Sequence, residues 1–109
     1  MPDPLFPISL AGFPVYLVGI KGTGMAALAE LLSFRGAVVS GSDVPEEFYT
    51  DRLLRKAGIR VFEGFDESRI TSELPFIIHS SAYSPETNPE LKRASELGIT
   101  LHTYPEALG

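Results

Sequence analysis

Three glycines, Gly19, Gly22 and Gly24, stand within the stretch Gly19-Ile20-Lys21-Gly22-Thr23-Gly24, directly behind the apolar run Val15-Tyr16-Leu17-Val18. A glycine-rich turn between a strand and a helix lets the main chain approach an anion. Exposed amides donate hydrogen bonds there, and the helix dipole favours negative charge. Lys21 offers one further positive group inside the loop. The spacing is G-x-x-G-x-G rather than the dinucleotide fingerprint G-x-G-x-x-G, and the same turn also reads as a tight connection that binds nothing. Asp43 follows Gly24 by 19 residues. An acid at that distance accepts hydrogen bonds from ribose hydroxyls in nucleotide-binding sheets. Ser42 beside it can serve a sugar or a base edge, or the pair can simply form a turn. Ser80, Ser81 and Ala82 end another apolar run, Phe76-Ile77-Ile78-His79, and either face the glycine loop across a crevice or make a polar turn.

Other chemistry is poorly supplied. Neither serine has a histidine–acid partner nearby, so a serine nucleophile is not expected. His79 and His102 read as packed strand histidines, and two lone histidines do not make a metal site. The Walker loop G-x-x-x-x-G-K-[ST] is absent from the chain. Tyr49, Phe62, Phe65 and Tyr83 could reach a pocket rim but read more simply as core or loop aromatics. The acids from Glu46 to Asp51 read as a solvated helix start.

The elements that must position these residues alternate. Val15–Val18 suits a strand buried on both faces. Met25, Leu28, Ala29 and Leu32 then recur with helical spacing, and Gly36 can end that helix in a left-handed conformation. Ala37-Val38-Val39-Ser40 reads as a second strand running into Gly41-Ser42-Asp43. Pro45-Glu46-Glu47 marks the start of a second helix packed through Leu53, Leu54 and Ala57 and closed by Gly58. Ile59-Arg60-Val61-Phe62 is a third strand, and a short helix is expected around Asp66 to Ile70. After the fourth strand, Phe76–His79, Asn88 caps a helix with Pro89 at its first position and Glu90 near its positive end. Leu91, Ala94 and Leu97 form its apolar stripe. Gly98 ends it before a fifth strand, Ile99-Thr100-Leu101-His102, and Pro105 to Leu108 begins another short helix. Strands alternating with helices imply an α/β, Rossmann-like three-layer domain with a five-stranded parallel sheet in the order 3-2-1-4-5. Ligands of such sheets bind beyond the carboxyl ends of the strands where the order reverses, here beside strands one and four.

Length and composition bound the rest. The chain has 109 residues, enough for one core, and it is 44% hydrophobic and 21% charged, which argues for a folded domain. The expected organisation is an irregular tail over residues 1–13 and one domain over residues 14–109. A net charge of −5 argues against general nucleic-acid binding. The absence of cysteine excludes disulfides and thiolate zinc sites and suits a cytoplasmic protein. No secretory or membrane-spanning segment is expected.

The chain resembles the N-terminal domain of the Mur ligases, the ATP-dependent amino-acid ligases of bacterial peptidoglycan synthesis. The likeness rests on Tyr16 to Met25, on Val39 to Asp43, on Ser80-Ser81-Ala82 with Asn88-Pro89-Glu90, and on Gly98-Ile99 with Glu106 and Leu108. It is greatest to the branch that adds L-alanine to UDP-N-acetylmuramic acid. The resemblance implies that this domain holds the UDP part of that nucleotide sugar. The amides of Ile20, Lys21, Gly22, Thr23 and Gly24 would face the diphosphate, Ser42 and Asp43 the uridine, and Ser80 to Ala82 the opposite side. In the whole family enzyme ATP, with magnesium, activates the muramoyl carboxylate as an acyl phosphate, which the amine of L-alanine attacks. The resemblance places the ATP loop, the magnesium ligands and much of the amino-acid site in further domains, so this stretch is not expected to catalyse ligation alone. Lys21 stands where the family usually has glycine, and Thr103 where arginine is common. A related branch, which recycles a murein tripeptide onto the same nucleotide sugar, has a similar first domain. An NAD-binding regulatory or redox domain and a scaffold that binds nothing are the competing readings.

Overall fold

The computed structural model describes residues 9–108. The expected tail falls outside the described residues over 1–8. Leu10 and Phe13, in its remaining part, flank a turn and pack against the core.

Five parallel strands form one sheet: β1 (Pro14–Val18), β2 (Val38–Asp43), β3 (Arg60–Glu63), β4 (Phe76–His79) and β5 (Thr100–Thr103), in the order β3-β2-β1-β4-β5. The helices between them are α1 (Thr23–Phe34), α2 (Tyr49–Lys56) and α3 (Pro89–Glu96), with a single helical turn at Glu67–Arg69, and α4 (Tyr104–Leu108) follows β5. Register brings the strand ends level: Val18 pairs Ser42 and His79, Asp43 pairs Glu63, and His79 pairs Thr103. Everything that follows a strand therefore emerges along one edge of the sheet.

Strand alternation divides the core into two layers. Val15 and Leu17 face Met25, Leu28, Ala29 and Leu32 of α1 and Leu54 of α2, with Ala107 of α4 on the same side. Tyr16 and Val18 face Ile77, Leu91 and Ala94, beneath α3. Full burial of a Leu or Ile side chain contributes about 1.5–3 kcal/mol, and Leu17, Ile77, Ile78 and Leu91 are all fully enclosed. Gly36, at φ +98°, ends α1 as expected, and Ala11 lies against it.

The second helix departs from expectation. It begins at Tyr49, four residues beyond Pro45, and Pro45 to Glu47 form an exposed approach. The reason lies in the cap: Asp51 accepts the Phe48 amide at 2.7 Å, so Phe48 is the last residue outside the helix. Leu53, expected to pack, points outward, while Leu54 takes the core position. Asp51, read as part of a solvated acidic run, is buried, because it partners Lys21.

Candidate functional site

A crevice of about 350 Å³ opens beyond the ends of β1, β2 and β4, at the point where strand order reverses. Gly19, Lys21, Gly22, Thr23, Asp43, Ser80 and Ala82 line it together with Val44, Phe48, Tyr49 and Tyr83. Seven of the eleven residues expected at the site thus come together there. Ile20, Gly24, Ser42 and Ser81 are not among the lining residues.

The loop is built by internal hydrogen bonds. The Ser42 carbonyl accepts the amides of Gly19 and Ile20 at 2.8 and 3.1 Å. The Lys21 amide donates to Asp43 Oδ2 at 2.8 Å, and the Gly22 amide to the Gly19 carbonyl at 3.2 Å. Ile20, Lys21 and Gly22, expected to turn their amides to an anion, donate them within the chain in this structure. The amides of Thr23, Gly24 and Met25 open α1 and have no acceptor among the described residues. They are the orphan donors that every helix start leaves, and here they begin at the crevice.

The glycines serve separate ends. Gly19 lies at φ +87°, and a Cβ there would press on Ser80 at 2.8 Å. This close approach draws the loop and the residues after β4 together. At Gly22 a Cβ would meet only ordinary contacts from 3.5 Å outward, so its bareness is not required by the fold. At Gly24 a Cβ would lie 2.6 Å from Tyr104 Cζ, so this glycine makes room for α4.

Lys21 departs most from expectation. Its side chain is fully enclosed, with Nζ 3.2 Å from Asp51 Oδ1, 3.6 Å from Glu63 Oε2 and 2.8 Å from the Glu46 carbonyl. The ammonium turns behind the loop and adds no free positive charge to the crevice. Asp43 is likewise engaged: Oδ2 holds the Lys21 amide, and Oδ1 accepts the Val44 amide at 2.7 Å and faces the Tyr83 hydroxyl at 3.5 Å. Burial, then the Asp43 charge, raises the Tyr83 phenol above its ordinary pKa.

Ser42 points to the other side of the sheet. Its hydroxyl donates to Glu90 Oε1 at 2.5 Å. Glu90 is fully buried at the start of α3, and its Oε2 accepts from the Tyr16 hydroxyl (2.9 Å), the Asp66 amide (3.1 Å) and Arg69 (3.0 Å). This carboxylate joins β1, β2, α3 and the turn before β4. Burial is the main cause that pushes the Tyr16 phenol up to about 12. The Ser42 side chain is thus a strut, while its carbonyl shapes the glycine loop.

Across the crevice, Ser80 accepts the Ala82 amide on its own Oγ at 3.1 Å, and its amide donates to the Val18 carbonyl. Ser81 is exposed. His79 is buried with Nδ1 2.9 Å from the Ser80 carbonyl, and His102 meets Phe76 edge-on. The guanidinium groups of Arg60 and Arg69 lie 4.8 and 4.6 Å from the centroid of the Phe62 ring, and Phe65 packs edge-on against Tyr83. The rim is aromatic. Tyr49 and Tyr83, which read more simply as core or loop residues, line it, and sequence reasoning passed over Phe48. Tyr49, 69% exposed, meets Thr23 hydroxyl to hydroxyl at 2.9 Å. Position was the available signal, because all three follow closely on the ends of β2 and β4.

With this geometry in view, residues 14–109 match the family described as "Mur ligase family, catalytic domain". The chain belongs to the Mur ligase family. It is 52% identical over 103 residues to the UDP-N-acetylmuramate--L-alanine ligase of Treponema pallidum (strain Nichols), covering 94% of this chain and 21% of that protein. The ligase of the same name from Desulfitobacterium hafniense is 43% identical over 96 residues, covering 87% of this chain and 21% of that protein. The chain therefore spans about a fifth of the length of these Mur ligase relatives. Among solved structures, the UDP-N-acetylmuramate:L-alanyl-gamma-D-glutamyl-meso-diaminopimelate ligase from Neisseria meningitides aligns with a TM-score of 0.78 at 25% identity, over 90% of this chain and 30% of that one. A dipicolinate synthase from Bacillus halodurans, at 13% identity and a TM-score of 0.58 over 88% of this chain and 39% of that one, shares the Rossmann-like fold.

Proposed function

We propose that residues 14–109 form the nucleotide-sugar-binding domain of a Mur ligase that joins L-alanine to UDP-N-acetylmuramic acid, and that the UDP part lies in the crevice. The observation that carries this reading is the start of α1: three amides without acceptors among the described residues open beside the bare Cα of Gly22, at the switch point of the sheet. A diphosphate suits such donors, since they offer partial positive charge at a helix N-terminus. Asp43, Val44, Phe48 and Tyr49 then lie on the β2 side for ribose and base, and Ser80, Ala82 and Tyr83 on the β4 side.

ATP and magnesium belong, on this reading, to the remainder of the full protein, as does the L-alanine site. The chain holds no G-K-[ST] stretch, and no step of ligation is assigned to its residues. This domain's part is to hold the nucleotide so that the muramoyl carboxylate is presented outward. The reading also places the protein in the cytoplasm, where nucleotide sugars are made. Among the described residues no helix is long and apolar enough to cross a membrane.

Isothermal titration of the 109-residue chain tests the reading. UDP-N-acetylmuramic acid and UDP bind saturably, and NAD binds more weakly. Tighter binding of NAD would favour the redox-domain reading, and no binding of either would leave a scaffold. The neighbour from Neisseria meningitides gives a specific reason to weigh the tripeptide-recycling branch. Both branches use the same nucleotide sugar, so assay of the full protein with L-alanine against the tripeptide separates them.

A further inference from the structure

We propose that Lys21 is a positioning residue that sets the aromatic rim of the crevice from behind and makes no contact with the bound anion. The ligand part of this inference rests on the nucleotide reading above; the structural part does not.

Lys21 is held at three points of its own. Its amide donates to Asp43 at the end of β2, its carbonyl accepts Thr50 Oγ1 at 2.6 Å, and its ammonium reaches the Glu46 carbonyl, Asp51 and Glu63. One loop residue thereby ties β2, α2 and the end of β3 to the turn behind β1. The ammonium also lies 5.8 Å from the centroid of the Phe48 ring, and Asp51 uses its other oxygen to hold the Phe48 amide. Phe48 is thus fixed through a carboxylate that Lys21 neutralises. Next to it, Tyr49 spans the mouth to Thr23. Pro45, Glu46 and Glu47 are exposed, and among the described residues Glu47 bonds only outward, to the exposed Arg55. The rim's inward hold at its centre is the bond from Lys21 Nζ to the Glu46 carbonyl.

Removing the ammonium would leave Asp51 buried without its cation, and a buried charge stripped of its partner is strongly unfavourable. The economical relief is for the segment from Glu46 to Asp51 to loosen and hydrate, which moves Phe48 and Tyr49 away from the crevice. The crevice itself offers an anion only neutral donors. A lysine acting as an ionic contact would make binding salt-dependent. A lysine acting through the rim would change affinity and leave the salt dependence alone.

The experiment compares wild type with Lys21→Met. In the ligand-free chain, amide hydrogen exchange across residues 46–51 rises about tenfold, while β4 and β5 keep their rates. Unchanged exchange across 46–51 overturns the proposal. With UDP as the probe, titration shows affinity reduced about tenfold at an unchanged salt slope. Phe48→Ala, which weakens binding in wild type, costs little more in the Lys21→Met background. A flattened salt slope, or full additivity with Phe48→Ala, overturns the positioning role. If wild type does not bind UDP, the nucleotide reading fails and the exchange result still decides the tie. If Lys21→Met does not fold, Asp51→Asn, which keeps an acceptor for Phe48, raises exchange in the same segment by a smaller factor. Unchanged exchange in that variant also overturns the tie.

Discussion

Raising the pH toward 12 attacks the buried hub beneath the sheet through one group. Tyr16 is 4% exposed and donates its hydroxyl to the fully buried Glu90. Burial is the first cause that lifts its pKa from 10.0 to about 12, and the neighbouring Glu90 charge adds to it. In the unfolded chain the phenol titrates near 10, so between pH 10 and 12 the unfolded state releases a proton that the folded state keeps. Tyr16's contribution is therefore present in full below pH 10 and is lost as pH rises through the folded value. Each tenfold change in the unfolding equilibrium is worth about 1.4 kcal/mol, so the ceiling is on the order of 3 kcal/mol, about half of it spent by pH 11. Urea unfolding of wild type and Tyr16→Phe at pH 8, 9, 10 and 11 reads this out. At pH 8 the variant is less stable by about 1.5–3 kcal/mol, the worth of a hydrogen bond to a charged group. By pH 11 that gap narrows by about 1 kcal/mol, because wild type alone carries the titrating phenol. Tyr83, also raised, is common to both proteins and cancels. A gap that stays constant from pH 8 to 11 would refute the reasoning.

The remaining tests address the hub and the loop. Glu90→Gln can turn its amide toward Ser42 Oγ and keep its carbonyl for Tyr16, Asp66 and Arg69, so it costs about 1–2 kcal/mol in urea unfolding. Glu90→Leu strands those donors and costs about 3–5 kcal/mol. Equal costs for the two would show that packing, not hydrogen bonding, sets the effect. Gly22→Val places a side chain where a Cβ meets only ordinary contacts, so the melting temperature shifts by only a few degrees, corresponding to about 1 kcal/mol. Its affinity for UDP falls more than about tenfold in titration, since a methyl pair fills the approach to the α1 amides; retained affinity would place the anion elsewhere.

Periodicity and punctuation made the fold legible. The stripe Met25, Leu28, Ala29 and Leu32 is buried as a unit, Asn88 accepts the amides of Glu90 and Leu91, and the strand order follows from right-handed crossovers. The start of α2 is not legible in the sequence, because Pro45 and two glutamates imitate a helix start, whereas the deciding cap is a bond from the Phe48 amide to Asp51. At the site, the glycines and Asp43 were visible as types at a spacing. Which amides remain free was not, because it depends on the Ser42 carbonyl arriving from a neighbouring strand. The inward turn of Lys21 was equally hidden. Its partners Asp51 and Glu63 lie 30 and 42 positions onward, and only the closed sheet brings them together.

That hidden pairing changes how an acidic chain can hold a diphosphate. With a net charge of −5, with Asp43 lining the crevice and the Glu46 charge felt by Tyr83 at its rim, the long-range field opposes the ligand. A lysine pointing into the loop would have answered this with charge, but at Lys21 that charge is spent on Asp51 and Glu63. What is left is short-ranged: orphan amides at a helix start, and aromatic surface at the rim. Donors of this kind recognise an anion only once it is seated and desolvated, so fit governs affinity more than attraction does. Association should accordingly gain little from lower salt, and changes to the rim should show chiefly in the dissociation rate.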